Sequence, residues 1–333
     1  MDLMPSPEEE QIIDMARGLL SKELPVDYLR WEEGPAKAAD RALLPQCAEL
    51  GWIALGLSEE HGGFGFGATE EMLLFREVGR ALVTPVLFAS VIAARLAATL
   101  GESDLTAAIA TGNATVSLAV PDAGGSGYFL IDAEGSDRIL LVDHDSVTLL
   151  DPSAFSNRSA IRSLDPTVTL ESAVLDSGAA GLQVGGRDAE PLFRHISLLI
   201  AAMLVGAAEA VRDLSVAHAS ERTQFGQKIG TFQAVSHPCA DMAVRCEAAL
   251  SQAKLAAVVV RDAGDDAEFQ VTAARIVALD AALSNAAAAI QLHGGMGFAA
   301  EYPVHFYLKR AHLLDQVGGR IALQLDDLFA LNA

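Results

Sequence analysis

Two stretches decide the fold: RTQFGQKIGTFQ, residues 222–233, and QLHGGMG, residues 291–297. Each follows a long segment of helical apolar periodicity, over about 192–220 and 267–292 respectively. Glycines stand just beyond both segments, where helices commonly stop. Two long helices closed by glycine-rich turns predict a helical bundle in the second half of the chain.

The first stretch carries groups suited to a nucleotide. Arg222 offers a planar fork of donors that matches a pyrophosphate, and Phe225 could stack on a purine ring. A structural alternative is equally simple: Arg222 pairs with Glu221 or another surface acid, and Phe225 fills the core.

The second stretch combines an amide with exposed backbone. Gln291 brings both donors and an acceptor, and Gly294 and Gly295 permit close approach of a ligand to the main chain. The alternative here is a glycine C-cap followed by a tight turn.

The rest of the chain divides by periodicity into three parts. Residues 1–112 look helical, with Ser6 and the acids that follow it marking a helix start. Residues 113–190 contain short β-like runs punctuated by Gly, Asp and Ser. Residues 191–333 return to long helices, with a final helical part over about 303–331. We therefore predict a mainly α protein with a small middle β domain.

Composition excludes several classes of function. The chain has 333 residues, 44 acids and 23 bases, which gives a formal net charge of −21. Such a surface repels nucleic-acid backbones and anionic membranes. No clustered Cys and His spacing of a metal site occurs. Three cysteines without a CxxC pair, and an acidic N-terminus, lead us to expect a cytoplasmic protein. The most apolar stretch, 196–208, is too short to span a bilayer.

Taken together, the two stretches resemble motifs of the acyl-CoA dehydrogenase family. That family carries Arg-x-x-Phe-Gly-x-x-Ile-Gly-x-Phe-Gln and, later, Gln-x-x-Gly-Gly-x-Gly in its bundle domain. Residues 49–63 (ELGWIALGLSEEHGG), 75–81 (FREVGRA) and 301–304 (EYPV) are similar to further family segments. The resemblance covers nearly the whole chain.

The resemblance implies a fold, a cofactor and a reaction. The fold is an N-terminal helical domain, a middle β domain and a C-terminal four-helix bundle. The cofactor is FAD, and the reaction is α,β-dehydrogenation of an acyl-CoA thioester, in which a glutamate removes the α-proton. The residues of this chain that match FAD-binding positions are Arg222, Gln224, Phe225, Gln233, Gln291, Gly294 and Gly295.

The chain departs from the family at the catalytic base. Counting from Tyr302, the family's base position falls on Gly318, which cannot move a proton. An alternative base position in the family falls near Ile196, which carries no acid. Glu190 and Asp315 remain candidates for a relocated base.

The flavin-ring side of the family's site also looks eroded. Where family members have a threonine that contacts the ring, this chain has Ala119 or Val120. Both tryptophans, Trp31 and Trp52, lie in the N-terminal part rather than in the β domain, which looks shortened.

This asymmetry is similar to that of the short subunit of actinobacterial α2β2 acyl-CoA dehydrogenases, which often act on steroid side-chain CoA esters. In such enzymes FAD lies across a subunit interface, so this chain would supply the adenosine and pyrophosphate half to a longer homologue. Two alternatives remain open: a self-sufficient homo-oligomer with a relocated base, and a flavin-free structural pseudoenzyme.

Overall fold

The computed structural model describes residues 3–25, 35–122, 124–125 and 127–319. Five helices come first, and their bounds are α1 Pro7–Glu23, α2 Pro35–Glu49, α3 Ala68–Arg80, α4 Pro85–Thr99 and α5 Ser103–Ala110. The helix start predicted at Ser6 is confirmed by a reciprocal cap. The Glu9 amide donates to Ser6 Oγ at 3.2 Å, and the Ser6 amide donates to Glu9 Oε2 at 2.6 Å.

A mixed seven-stranded sheet follows the helices. Its strands are β1 Val116–Pro121, β2 Tyr128–Ile131, β3 Arg138–Val142, β4 Ser146–Leu150, β5 Phe155–Ile161, β6 Leu170–Leu175 and β7 Gly181–Gly185. The spatial order is β5-β6-β2-β1-β3-β4-β7, and only the β1–β3 pair is parallel. In β3, four of five residues are buried because both faces of the strand are covered: Leu140 and Val142 belong to the main core, whereas Ile139 and Leu141 belong to a second apolar cluster.

Up to residue 319, four helices form the C-terminal bundle: α6 Glu190–Glu221, α7 Gln233–Arg261, α8 Ala267–His293 and α9 Val304–Asp315. Contacts fix their directions. Arg275 reaches Ser197 at 3.5 Å, and the Asn285 side-chain amide donates to Ala208 O at 3.3 Å, so α8 runs parallel to α6. The same amide donates to Met242 O at 3.1 Å, on antiparallel α7. The predicted fold class is thereby confirmed, while the domain limits at 112 and 190 stay predictions.

The bundle meets the N-terminal helices where two glycines face each other. A Cβ on Gly79 of α3 would overlap the carbonyl of Met203, and a Cβ on Gly206 of α6 would overlap the carbonyl of Arg76. Close backbone approach also brings Arg76 within reach of Glu209. Its Nε and Nη2 each donate to that carboxylate at 2.8 Å. The α3–α6 crossing therefore combines steric fit with a charge-assisted pair.

By length and composition alone, two helical segments among the described residues are apolar enough to cross a membrane: Gly186–Glu221 and Ala267–Phe298. The first extends on both sides of the apolar stretch 196–208, which by itself is too short to do so. Within their most apolar windows, 78% and 56% of the residues are buried inside the protein. This burial is typical of core helices in a bundle.

The final helical part predicted over about 303–331 begins with one short helix. Helix α9 ends at Asp315, and a turn over residues 316–319 follows. Gly318 and Gly319 have φ of 69° and 95°, a left-handed conformation that no helix continues through. The remainder of the predicted helical part, from residue 320, lies outside the described residues.

Replacing Gly206 by alanine should destabilise the fold by at least about 2 kcal/mol, because the new methyl forces α3 and α6 apart. Gly18 in α1 is a matched control, since a Cβ there meets nothing within 4 Å. Gly18→Ala should stabilise the chain by roughly 0.5–1 kcal/mol through helix propensity. Chemical denaturation measures both, and equal effects of the two substitutions would contradict the close crossing.

Candidate functional site

The first motif folds as a two-residue hairpin beyond α6. Strands β8 Thr223–Gln224 and β9 Gln227–Lys228 pair antiparallel, with Phe225 and Gly226 at the turn. Both turn residues have positive φ, 53° and 78°, as a type I′ turn requires. Glycine accepts this conformation freely, but phenylalanine does so with strain. The hairpin thus holds an aromatic side chain at its tip against its local preference.

The Phe225 ring is 92% exposed, so the core-filling alternative is wrong. It contacts the ring of Phe232 edge to face, with 6.1 Å between the ring centroids. A strained, exposed aromatic ring is a poor structural element and a suitable platform for a planar ring.

Arg222 lies at the C-cap of α6, with its side chain exposed. Within the described residues it makes no ion pair, so the predicted pairing with Glu221 is also wrong. Its backbone is held instead: the Arg222 amide donates to His218 O and the Ile229 amide donates to Arg222 O, both at 2.9 Å. A fixed main chain thus presents a guanidinium to solvent.

The second motif closes α8. Gly294 has φ 60° and ψ −136°, a conformation largely restricted to glycine. A Cβ added to Gly294 or Gly295 would meet open space, whereas one on Gly297 would overlap the carbonyl of Ile290. The first two glycines are therefore free to face a ligand, and the third is needed for packing. The Gln291 side chain is exposed beside them.

The two motifs lie at the same end of the bundle because α6 and α8 are parallel. The His218 ring, one turn before Arg222, stacks on the His293 ring at 4.3 Å between centroids. Both helices end here with their carbonyl groups, so neither helix dipole attracts an anion. Attraction must come from the guanidinium and from the amides of the following turn.

Two further predicted residues border this surface. The Gln224 side chain donates to Thr223 O at 2.9 Å, and Gln233 is exposed in the first turn of α7. Together the predicted residues provide a guanidinium that makes no ion pair within the described residues, an exposed aromatic ring, side-chain amides, and two glycines with free space around them. These groups fit the adenosine and pyrophosphate part of a dinucleotide such as FAD.

The predicted base positions converge at the other end of the bundle. A Cβ built on Gly318 would lie 3.4 Å from Ile196 Cγ2 and 3.8 Å from Val142 Cγ1. The two predicted base positions, 196 and 318, are thus far apart in sequence but adjacent in the structure, and neither carries an acid. Both side chains of the surrounding wall, Ile196 and Val142, are buried.

A residue that sequence reasoning missed occupies this point. Arg275 of α8 is 1% exposed, and its Nη1 lies 3.3 Å from the Cβ built on Gly318. Its Nη2 donates to Val317 O and, at 2.9 Å, to Gly319 O. Burial lowers the pKa of Arg275 to about 10, with the charge of Asp315 acting in the opposite direction. At neutral pH a guanidinium therefore stands where the family has a carboxylate.

The acids considered as relocated bases are placed elsewhere or engaged. Glu190 is exposed at the start of α6. Asp315 ends α9 and acts electrostatically on Arg275. Glu209, a further acid on α6, is buried between Arg76 and Arg80.

The eroded flavin side maps to the middle of the sheet. Ala119 and Val120 lie in β1, 0% and 3% exposed, and pair with Leu130 and Phe129 of β2. Neither side chain carries a hydroxyl. The polar groups that fit FAD in this chain are thus concentrated at the opposite end from the base position.

Comparisons with known proteins identify the family of the chain. The acyl-CoA dehydrogenase N-terminal domain model matches residues 6–112, and the C-terminal domain model matches residues 185–330. Acyl-CoA dehydrogenase IpdE2 of Mycobacterium tuberculosis is 31% identical over 320 residues, which cover 93% of this chain and 92% of that protein.

Solved structures share the fold. The ChsE4–ChsE5 complex from Mycobacterium tuberculosis gives a TM-score of 0.84 at 22% identity, covering 99% of this chain and 98% of that one. The steroid acyl-CoA dehydrogenase Tcur3481–Tcur3483, as a G363A variant, gives 0.80 at 23% identity, covering 97% of each chain. On its sequence and its fold, the chain belongs to the acyl-CoA dehydrogenase family, whose members are oxidoreductases that act on acyl-CoA with FAD as cofactor.

Proposed function

We propose that this chain is the non-catalytic subunit of a heteromeric acyl-CoA dehydrogenase. It supplies the adenosine and pyrophosphate half of an FAD site, and a longer homologue supplies the flavin-ring half and the base. The assembly is an α2β2 heterotetramer in the cytoplasm, and its substrate is a steroid side-chain CoA thioester.

One observation carries the proposal: the nucleotide-binding groups are presented at one end of the bundle while Arg275 fills the base position at the other. A chain with both halves intact would need no partner to catalyse. A chain that had lost all function would not keep a strained, exposed Phe225 beside an unpaired Arg222.

The described relatives support the heteromeric and steroid parts of the proposal. The ChsE4–ChsE5 structure is of a complex between two differently named chains, and the Tcur3481–Tcur3483 structure is described as a steroid enzyme. Both share this chain's fold over nearly its full length. The acyl group is assigned here by that analogy.

In the proposed mechanism this chain binds and orients. Arg222 would hold the pyrophosphate charge, Phe225 would cover the adenine face, and Gln291 with the amides of Gly294 and Gly295 would fix the ribose and phosphate side. FAD, when bound, supplies the redox chemistry by accepting a hydride. Proton removal belongs to the partner, because the guanidinium at the base position of this chain is already fully protonated and cannot accept a proton.

A self-sufficient enzyme would need an acid that reaches the base position. The three heavy atoms nearest to a Cβ on Gly318 belong to Arg275, Ile196 and Val142. A purely structural pseudoenzyme would not depend on Arg222. Substitution of Arg222 therefore tests the pseudoenzyme, and substitution of Gly318 tests whether the base position is open.

Arg222→Ala in the co-expressed complex should lower FAD affinity by roughly 10- to 100-fold, the range expected for lost hydrogen bonds between a guanidinium and a phosphate. Arg187→Ala is the matched control, an exposed arginine just before α6 that should have no effect. Flavin fluorescence during dilution measures the affinity, and size-exclusion chromatography verifies assembly. Unchanged FAD affinity in an assembled Arg222→Ala complex would favour the pseudoenzyme.

Gly318→Glu should not add catalytic activity to the complex. The Cβ of the new side chain would lie 3.3 Å from Arg275 Nη1, so its carboxylate should pair with this guanidinium, and the ion pair keeps it from accepting a proton. The substitution should also cost about 1–3 kcal/mol, because residue 318 has positive φ and buried neighbours.

Gly178→Glu is the control for backbone strain, since its φ is 84° and a Cβ there meets nothing within 4 Å. It should destabilise the chain less than Gly318→Glu in thermal unfolding. Turnover of acyl-CoA by the complex should be unchanged in both variants. A second active flavin per heterodimer in the Gly318→Glu complex would show that the base position is open.

A further inference from the structure

Three aromatic rings beside the two motifs contact one another. His218 of α6 stacks on His293 of α8 at 4.3 Å and 33°, and His293 meets Tyr302 at 4.9 Å and 48°. His218 lies one turn before Arg222, and His293 lies between Gln291 and Gly294. We call this set the ring stack. Every member is thus within one helical turn, or one loop, of the candidate FAD groups.

The chemistry of His293 fixes the stack in one protonation state. The residue is 5% exposed, and its Nδ1 lies 2.7 Å from Ala289 O, which makes Nδ1–H the donor. Its Nε2 is buried and has no hydrogen-bond partner among the described residues. Adding a proton at Nε2 would bury an unsatisfied N–H beside a second imidazole. The neutral ring is therefore the one that fits.

Burial and nearby charges also favour the neutral form of both imidazoles. Burial and the Arg222 charge lower the pKa of His218, with Glu221 opposing them. Burial and the neighbouring His218 lower the pKa of His293, opposed by the Ala289 carbonyl. These are the charged and titratable groups acting on the two imidazoles from α6 and α8, and Tyr302 closes the stack from the loop before α9.

We infer that His218 and His293 are positioning residues: the stack sets the spacing between the Arg222 hairpin and the Gln291 turn, and it does so with both rings uncharged. The inference rests on the proposed FAD site. Neither imidazole needs to touch the cofactor. The stack instead fixes how far apart the two binding segments lie, so its loss weakens FAD binding without removing a binding group.

The test uses the co-expressed complex and FAD titration. His218→Ala and His293→Ala should each weaken FAD binding roughly two- to tenfold, the value of one aromatic contact, while the heteromer stays assembled. His218→Phe and His293→Phe keep the ring and should restore affinity at pH 7.5. His144→Ala, in the exposed turn after β3, is the control and should change nothing.

A pH profile provides the readout that a merely structural role would not give. Because both folded pKa values lie below the ordinary 6.5, the stack is intact above that pH and protonates as the pH falls below it. FAD affinity of the unmodified complex should therefore decrease as the pH falls below about 6.5. The double Phe variant should lose most of that decrease, whereas His144→Ala should keep it.

Each outcome decides between separate failures. If Arg222→Ala weakens FAD binding but both histidine-to-alanine variants bind as tightly as the unmodified complex, the positioning role is wrong and the site stands. If Arg222→Ala has no effect either, the proposed site itself is wrong. Should the alanine variants fail to assemble, the double Phe variant decides: an unchanged pH profile overturns the inference.

Discussion

The parallel packing of α6 and α8 is the constraint on which the rest of the molecule depends. Asn285 of α8 stabilises this packing. Its side-chain amide is buried and donates hydrogen bonds to carbonyl groups of α6 and α7. A buried amide costs free energy unless it is satisfied, so this contact favours one register of the bundle. With that register set, the two helices end together at the candidate FAD groups. Their other halves meet around Ile196 and Arg275.

The two ends of this helix pair have opposite characters. At one end a hairpin and a glycine-rich turn present polar and aromatic groups to solvent. Arg222, Phe225 and Gln291 are all exposed there. At the other end Arg275 satisfies the carbonyls of Val317 and Gly319, and the space is filled. A buried cation is stable only when such acceptors surround it. The two ends thus differ in the way that the proposed role requires, in which this chain contributes a binding surface to a site shared with a partner.

Sequence predicted the architecture well because periodicity and glycine stops are local signals. The strands at 138–142 and 146–150 and the long bundle helices were all expected from them. The turn over 316–319 was not predicted, because it is accompanied by hydrogen bonds from Arg275 to Val317 O and Gly319 O, which join segments distant in sequence. Arg275 was missed for the same reason. The hydrogen-bond partners of a single charged residue in an alanine-rich helix lie in distant segments of the chain, so a local sequence pattern does not reveal them. The ring stack likewise depends on the relative height of two helices.

The central claim is that the FAD site is shared between this chain and a longer homologue. The most direct test is the visible absorbance spectrum of the chain purified alone and after co-expression with such a homologue. A shared site predicts a colourless chain alone and a yellow complex with about one FAD per heterodimer. A yellow chain, carrying stoichiometric FAD and oxidising an acyl-CoA without a partner, would contradict it.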